Sequence, residues 1–105
     1  MQTKSKAAIM ISPNTDLKIM EYPLPKVEPG CILVEISCCT ICGSDLHTWQ
    51  GRRKSPIPII LGHEIVGKIL ELGNGVTHDS GDQPLNVGDR ITWTIMDNCG
   101  KCFYC

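Results

Sequence analysis

The chain has 105 residues, a formal net charge of −1 and 42% hydrophobic residues, which is the composition of one folded domain with a substantial core. The near-zero charge lacks the basic surface that nucleic-acid binding requires, and no apolar run approaches the roughly 18 residues that span a membrane. The amino terminus does not resemble a secretory signal, so we expect a cytoplasmic chain whose seven cysteines stay reduced and bind metal rather than form disulfides.

The first third of the chain predicts β-structure. Residues 6–11 and 17–22 flank the turn-forming residues 12–16, and we expect the two apolar segments to pair as a hairpin. Residues 31–39 alternate between apolar and polar side chains, as one strand would. The alternation places on one face Ile32, Val34, Ile36 and Cys38.

The middle of the chain combines a helical turn with further strands. Gly43, Ser44 and Asp45 are candidate N-cap residues, and we expect a short helical turn from there through Trp49. Residues 51–58 read as a loop. Residues 59–72 are apolar and β-branched, and the glycines within this segment indicate bends or a bulge in a curled sheet.

The last third contains turns and one more predicted strand. Gly73-Asn74-Gly75 is a turn rather than a dinucleotide-binding loop, because the third glycine of that fingerprint is missing and no helix follows. Residues 77–84 predict a surface loop, and residues 90–95 a strand. Short strands separated by turns favour a small β-barrel or sandwich.

The cysteine-rich end is the strongest chemical signal. Cys99, Cys102 and Cys105 follow one another at intervals of three residues, and such spacing presents thiolates to one zinc ion. A fourth ligand is needed to close the tetrahedron. The alternative is a set of surface thiols without a ligand, which is uncommon for clustered cysteines in a reducing compartment.

A second candidate metal site combines Cys42 with His63. Cys42 precedes the predicted helix N-terminus, which favours the metal-binding thiolate, and Asp45 is suited to orient a ligating histidine. A lone histidine beside a strand, such as His63, more often has a structural role than a metal-binding one. Cys31, Cys38 and Cys39 are interpreted as core or edge residues.

Other assignments of these residues are weaker. Cys39 and Cys42 could join Cys99 and Cys102 in a four-cysteine zinc knuckle, but the intervening chain is much longer than the ~15–20 residues usual for such modules. A thioredoxin-like redox pair at Cys39 and Cys42 lacks the surrounding βαβ pattern. The basic residues 52–54 are interpreted as a solvated loop.

Four stretches together resemble a known family. They are Ile41-Cys-Gly-Ser-Asp-Leu-His47, Leu61-Gly-His-Glu-Ile-Val-Gly67, Val87-Gly-Asp-Arg-Ile91 and the segment Cys99–Cys105. Their order and spacing resemble the N-terminal catalytic domain of zinc-dependent medium-chain alcohol dehydrogenases. The resemblance covers nearly the whole chain and implies a mainly β fold, a GroES-like partly open β-barrel with short helical turns.

The resemblance also implies a role for individual residues. Cys42 and His63 are similar to ligands of the catalytic zinc, with Glu64 as a nearby carboxylate that can approach the metal. Asp45 resembles the partner that orients the ligating histidine. Ser44 and His47 resemble the relay that carries the alcohol proton to solvent, and Cys99, Cys102 and Cys105 resemble three of the four ligands of a structural zinc.

The family further implies NAD or NADP as cofactor, an alcohol or carbonyl compound as substrate, and a homodimer or homotetramer. We expect residues 1–105 to be one such domain, incomplete at its C-terminal end and without the nucleotide-binding Rossmann domain, and therefore inactive alone. A free-standing zinc-binding interaction module is the alternative, and a scaffold without chemistry is a third possibility. Trp49 could line the substrate cleft or pack on the barrel, and the sequence favours neither hypothesis over the other.

Overall fold

The computed structural model describes residues 3–104. Its elements are six strands and one helix, which follow one another along the chain as β1 (Lys4–Met10), β2 (Lys18–Pro23), β3 (Ile32–Thr40), α1 (Gly43–Trp49), β4 (Ile59–Ile60), β5 (Glu64–Leu72) and β6 (Arg90–Thr92). No helix among these residues is long and apolar enough to cross a membrane.

The strands form two three-stranded antiparallel sheets. The first has the order β2-β1-β4, and the second has the order β3-β5-β6. The hairpin predicted for the first third is confirmed, with Ile9 opposite Lys18 and Lys4 opposite Pro23. The predicted mainly β class is confirmed as well, although within residues 3–104 the two sheets are not hydrogen-bonded into a closed barrel.

Two irregularities bend the β3–β5 ladder. The register shifts between Leu33 and Val34 and again between Ile36 and Cys38. The second shift breaks the predicted alternation, because a bulge changes the face to which the following side chains point. Cys38 and Cys39 are exposed and lie on β3, which is at the edge of its sheet, so of the core and edge interpretations the edge one applies to them.

The fully buried apolar core is small. Ile9 and Met10 of β1 and Ile69 of β5 are at most 3% exposed, whereas many large apolar side chains remain accessible. Among the most exposed are Ile41, Ile95, Met96, Phe103 and Tyr104. The core expected from chain length is therefore larger than the one formed, and the apolar surface of this domain is correspondingly extensive.

The last strand is shorter than predicted. β6 ends at Thr92, whereas the sequence indicated a strand through residue 95. β6 pairs with only three residues of β5, from Val66 to Lys68. Beyond Thr92 the chain leaves the sheet and continues as exposed loops toward the cysteine-rich segment.

Candidate metal centre

The starts of two elements, α1 and β5, converge on one cluster of metal-ligating groups. Cys42 is the residue before α1, while His63 and Glu64 lie where β5 begins. One ligand atom from each of these side chains lies within 4.8 Å of the others. The short helix predicted to end at Trp49 is confirmed as Gly43–Trp49, and its N-cap is Cys42 rather than one of the predicted capping residues 43–45.

A glycine turn brings His63 into the cluster. Gly62 lies between β4 and β5 and adopts a φ of +109°. Residues that carry a side chain rarely adopt this backbone conformation. A Cβ atom there would overlap the sulfur of Cys39. The chain can therefore reverse tightly at this point and direct the imidazole toward Cys42.

The spacing of the ligand atoms fits zinc. The Sγ of Cys42 lies 3.6 Å from the Nε2 of His63. Ordinary Zn–S and Zn–N bond lengths at a tetrahedral angle put two such atoms about 3.5 Å apart. Sulfur, imidazole nitrogen and carboxylate oxygen are also the donor types that zinc accepts. The residues present therefore fit this metal.

Asp45 connects the helix start to the imidazole. Its Oδ2 accepts a hydrogen bond from the backbone N–H of Cys42 at 3.0 Å, and its Oδ1 lies 3.6 Å from the Nδ1 of His63. The residue is only 6% exposed. A carboxylate on the far side of the ring favours the tautomer with hydrogen on Nδ1, which leaves Nε2 free to bind a metal.

The two predicted relay residues occupy different surroundings. The Oγ of Ser44 lies 2.9 Å from the Sγ of Cys42 and is half-buried. His47 lies three residues further along α1 and is exposed. Residues three apart share one face of a helix, so both side chains lie on the same face of α1, one half-buried and the other exposed.

Thr40 belongs to the cluster although it was not among the predicted site residues. Its hydroxyl donates a hydrogen bond to Oε2 of Glu64. The register pairs Thr40 at the end of β3 with Glu64 at the start of β5. Only the long-range pairing of these strands brings the two residues together, so no local sequence signal indicated the contact.

An open groove adjoins the cluster. It has a volume of about 600 Å³ and runs along the edge between β5 and the segment after β6. Its lining combines polar and apolar side chains, among them Thr40, His63, Glu64, Thr92, Trp93 and Ile95. A small molecule in this groove would contact both the ligand cluster and apolar surface.

The cysteine-rich segment forms a second, separate arrangement. The Sγ of Cys99 accepts hydrogen bonds from the backbone N–H groups of Lys101 and Cys102, at 3.5 and 3.4 Å. A turn of this kind, with N–H groups directed at a sulfur, stabilises a thiolate. Cys105, the third predicted ligand, lies outside the described residues. Within the described chain, Cys42 is grouped with His63 and Glu64 and not with the cysteines required by the four-cysteine alternative.

Trp49 contacts the first hairpin. Its indole Nε1 donates a hydrogen bond to the carbonyl of Thr15 at 2.9 Å, and its own carbonyl accepts one from the N–H of Asn14 at 2.8 Å. These contacts fasten the C-terminal end of α1 to the turn between β1 and β2. They favour the packing role of Trp49 over a place in a substrate cleft.

Comparison with known proteins identifies one family. The alcohol dehydrogenase GroES-like domain matches residues 28–105. Zinc-type alcohol dehydrogenase B of Aspergillus flavus is 33% identical over 99% of this chain. The alignment covers 23% of that relative, so the chain spans about a quarter of its length.

Two solved structures extend the similarity to three dimensions. An alcohol dehydrogenase of Thermotoga maritima superposes with a TM-score of 0.84 at 38% identity, covering 97% of this chain and 28% of the other. Acetophenone reductase of Geotrichum candidum, in complex with NAD, superposes with a TM-score of 0.81 at 30% identity, covering 100% of this chain and 30% of the other.

Proposed function

The chain belongs to the alcohol dehydrogenase GroES-like domain family, and we propose that it is the zinc-binding catalytic domain of an oxidoreductase that interconverts an alcohol and an aldehyde or ketone. In the oxidation, the carbon that bears the hydroxyl group gives a hydride to the nicotinamide of NAD or NADP, and the hydroxyl proton passes to a base. The observation that carries this proposal is the grouping of Cys42, His63 and Glu64 within 4.8 Å.

Cys42 and His63 would hold the catalytic zinc, with Glu64 as a carboxylate within reach. When bound, the zinc supplies Lewis acidity that polarises the oxygen of the substrate. Asp45 orients the imidazole of His63 through its Nδ1 side. The groove beside the cluster would receive the substrate, because it offers apolar surface next to the ligand atoms.

Ser44 and His47 would move the proton. The hydroxyl of Ser44 lies beside the Cys42 sulfur and can both accept and donate a hydrogen bond. His47 is exposed one helical turn further on and can exchange the proton with water. The two side chains would therefore form a short relay from the substrate to solvent.

Cys99, Cys102 and Cys105 would bind a second zinc with a structural role. The two backbone hydrogen bonds to Cys99 support this assignment, since they favour the thiolate that a closed zinc site requires. We place the protein in the cytoplasm, where these thiols stay reduced. By its family we expect the whole enzyme to be a homodimer or homotetramer.

Residues 1–105 alone would not catalyse hydride transfer. We propose that they form one GroES-like domain and that the nicotinamide cofactor is bound by a Rossmann domain outside these residues. Within the printed sequence no glycine-rich loop offers a place for the cofactor's pyrophosphate. The solved homologue that holds NAD is more than three times as long as this chain, which covers 30% of it.

Zinc analysis of the unaltered chain and two variants tests the proposal. We expect the purified chain to lose zinc when His63 is replaced by alanine, and to keep it when His78, in the exposed loop of residues 77–84, is replaced in the same way. Elemental analysis after exhaustive dialysis gives the stoichiometry. Tight zinc that is unaffected by His63→Ala would contradict the catalytic site and favour an independent zinc module bound through cysteines alone.

A further inference from the structure

The carboxylate of Glu64 is held by a side chain of the neighbouring strand. Thr40 donates its hydroxyl hydrogen to Oε2 of Glu64, and the two residues face each other across the end of the β3–β5 ladder. Both residues are exposed, so close packing does not fix the carboxylate. A hydrogen bond from a fixed donor is then what restricts it.

Threonine is well suited to restrict a flexible neighbour. A glutamate in solvent samples many rotamers, and ordering it at the moment of metal binding costs conformational entropy. Threonine is β-branched and has few rotamers on a strand, so its hydroxyl occupies a defined position. The bond occupies Oε2 and leaves Oε1 with its lone pairs available to a metal.

We propose that Thr40 is a positioning residue that holds the Glu64 carboxylate beside Cys42 and His63, so that this carboxylate contacts the bound metal directly. The inference rests on the proposed function, because it requires that the cluster binds a metal. It goes further in assigning the stability of the metal site to a residue outside the ligand set. Removal of the hydroxyl group then weakens metal binding although every ligand remains.

A purely structural role for Thr40 predicts something different. The hydrogen bond would then only fasten the end of β3 to the start of β5, and its loss would lower the unfolding temperature without changing the metal. The two roles are separated by a spectroscopic measurement of the metal site. Co²⁺ is the suitable probe, because its visible absorption depends on the number and type of ligands around it.

The experiment titrates Co²⁺ into the chain in a background with Cys99→Ser and Cys102→Ser, so that those thiolates contribute no signal. Thr40→Val removes the hydroxyl but keeps the shape and suits a strand, whereas Thr40→Ser keeps the hydroxyl. Thr15→Val is the matched control, because Thr15 is exposed in the turn between β1 and β2 and its hydroxyl donates to the carbonyl of Ser12 rather than to a carboxylate. Together with Glu64→Gln and the double variant Thr40→Val/Glu64→Gln, these variants form a double-mutant cycle.

We expect Thr40→Val to weaken Co²⁺ binding about tenfold and to alter the visible spectrum, as loss of a ligand's hydrogen-bonding partner does. Thr40→Ser should restore both the affinity and the spectrum, and Thr15→Val should leave both unchanged. In the Glu64→Gln background Thr40→Val should have little further effect, since it acts through the carboxylate.

Several outcomes would overturn the inference. A Thr40→Val spectrum and affinity equal to those of the parent would do so, even if the unfolding temperature falls. The inference would also fail if Thr40→Val weakened Co²⁺ binding equally in the parent and in the Glu64→Gln background. If the parent binds Co²⁺ no better than His63→Ala, the proposed metal site fails and this inference with it, which distinguishes the two failures.

Discussion

Asp45 accepts a hydrogen bond from the backbone N–H of Cys42 at 3.0 Å, so a buried carboxylate fixes the residue that starts the only helix of the described chain. The same carboxylate faces His63 through its other oxygen. One side chain therefore sets the position of two candidate ligands that lie 21 residues apart in sequence.

Replacement of Asp45 by asparagine should weaken zinc binding about tenfold or more, because the neutral amide holds the helix start but no longer complements the Nδ1–H of His63. Competition with a chromophoric chelator measures the affinity. Asp16→Asn, which changes an exposed carboxylate in the turn between β1 and β2, is the control and should leave it unchanged. Equal affinities for the Asp45 variant and the unaltered chain would show that the carboxylate does not orient the histidine.

The helix and the hairpin were predictable because their signals are local. Cys42 to Asp45 carry the capping residues that start α1, and the turn residues 12–16 lie between two apolar segments that pair directly. The pairing of Cys42 with His63 was predicted from the residue types and the helix start, and the family resemblance added Glu64. Residue spacing alone could not fix the distance between the two segments.

The features that escaped prediction depend on long-range pairing. The shift between Ile36 and Cys38 is set by how β3 meets β5, and that pairing also brings Thr40 opposite Glu64. The early end of β6 at Thr92 has the same origin, because this strand has partners only from Val66 to Lys68. No pattern within a single strand encodes its register against another.

Alanine at position 62 should disrupt both the turn and the metal site. Gly62 has a φ of +109° and a Cβ would overlap the Cys39 sulfur, whereas Gly75 has a φ of +86° with open space around the same position. Gly75→Ala should therefore cost only the backbone strain, about 1–2 kcal/mol. Gly62→Ala should cost roughly 1–3 kcal/mol more through steric overlap, and zinc binding should fall with it.

Urea unfolding of both glycine variants, together with zinc competition, measures the two effects. The Gly75 variant is expected to bind zinc as the unaltered chain does, because its turn is remote in sequence from the ligands. If the free energy of unfolding falls equally in the two variants, the overlap with Cys39 does not contribute to it and the positive φ alone explains the loss.

Phenylalanine at position 49 should lower stability without affecting zinc. The substitution keeps an aromatic ring but removes the N–H that donates to the Thr15 carbonyl, a loss of about 1 kcal/mol. The urea midpoint should shift accordingly. Trp93→Phe is the control for the loss of an indole N–H and should leave the urea midpoint unchanged. Trp93 is 39% exposed and lies in the groove beside the metal cluster, away from the hairpin turn. An unchanged midpoint for the Trp49 variant would indicate that the helix does not depend on the hairpin for its position.

The two candidate zinc sites should behave independently. They share no ligand, since one uses Cys42, His63 and Glu64 and the other uses the segment that contains Cys99 and Cys102. We therefore expect Cys102→Ser to remove the zinc that His63→Ala leaves in place, and the double variant to lose the sum of the two amounts.

Zinc content by elemental analysis, combined with unfolding temperature, tests this independence. The cysteine variant should lose the proposed structural zinc of the exposed loop after β6, where few packed side chains could compensate. His63→Ala should lower the unfolding temperature less than the cysteine variant does, because the residues next to His63 remain hydrogen-bonded through β5. A double variant that loses no more zinc than either single one would mean that all these residues bind a single ion, and the division into a catalytic and a structural site would have to be abandoned.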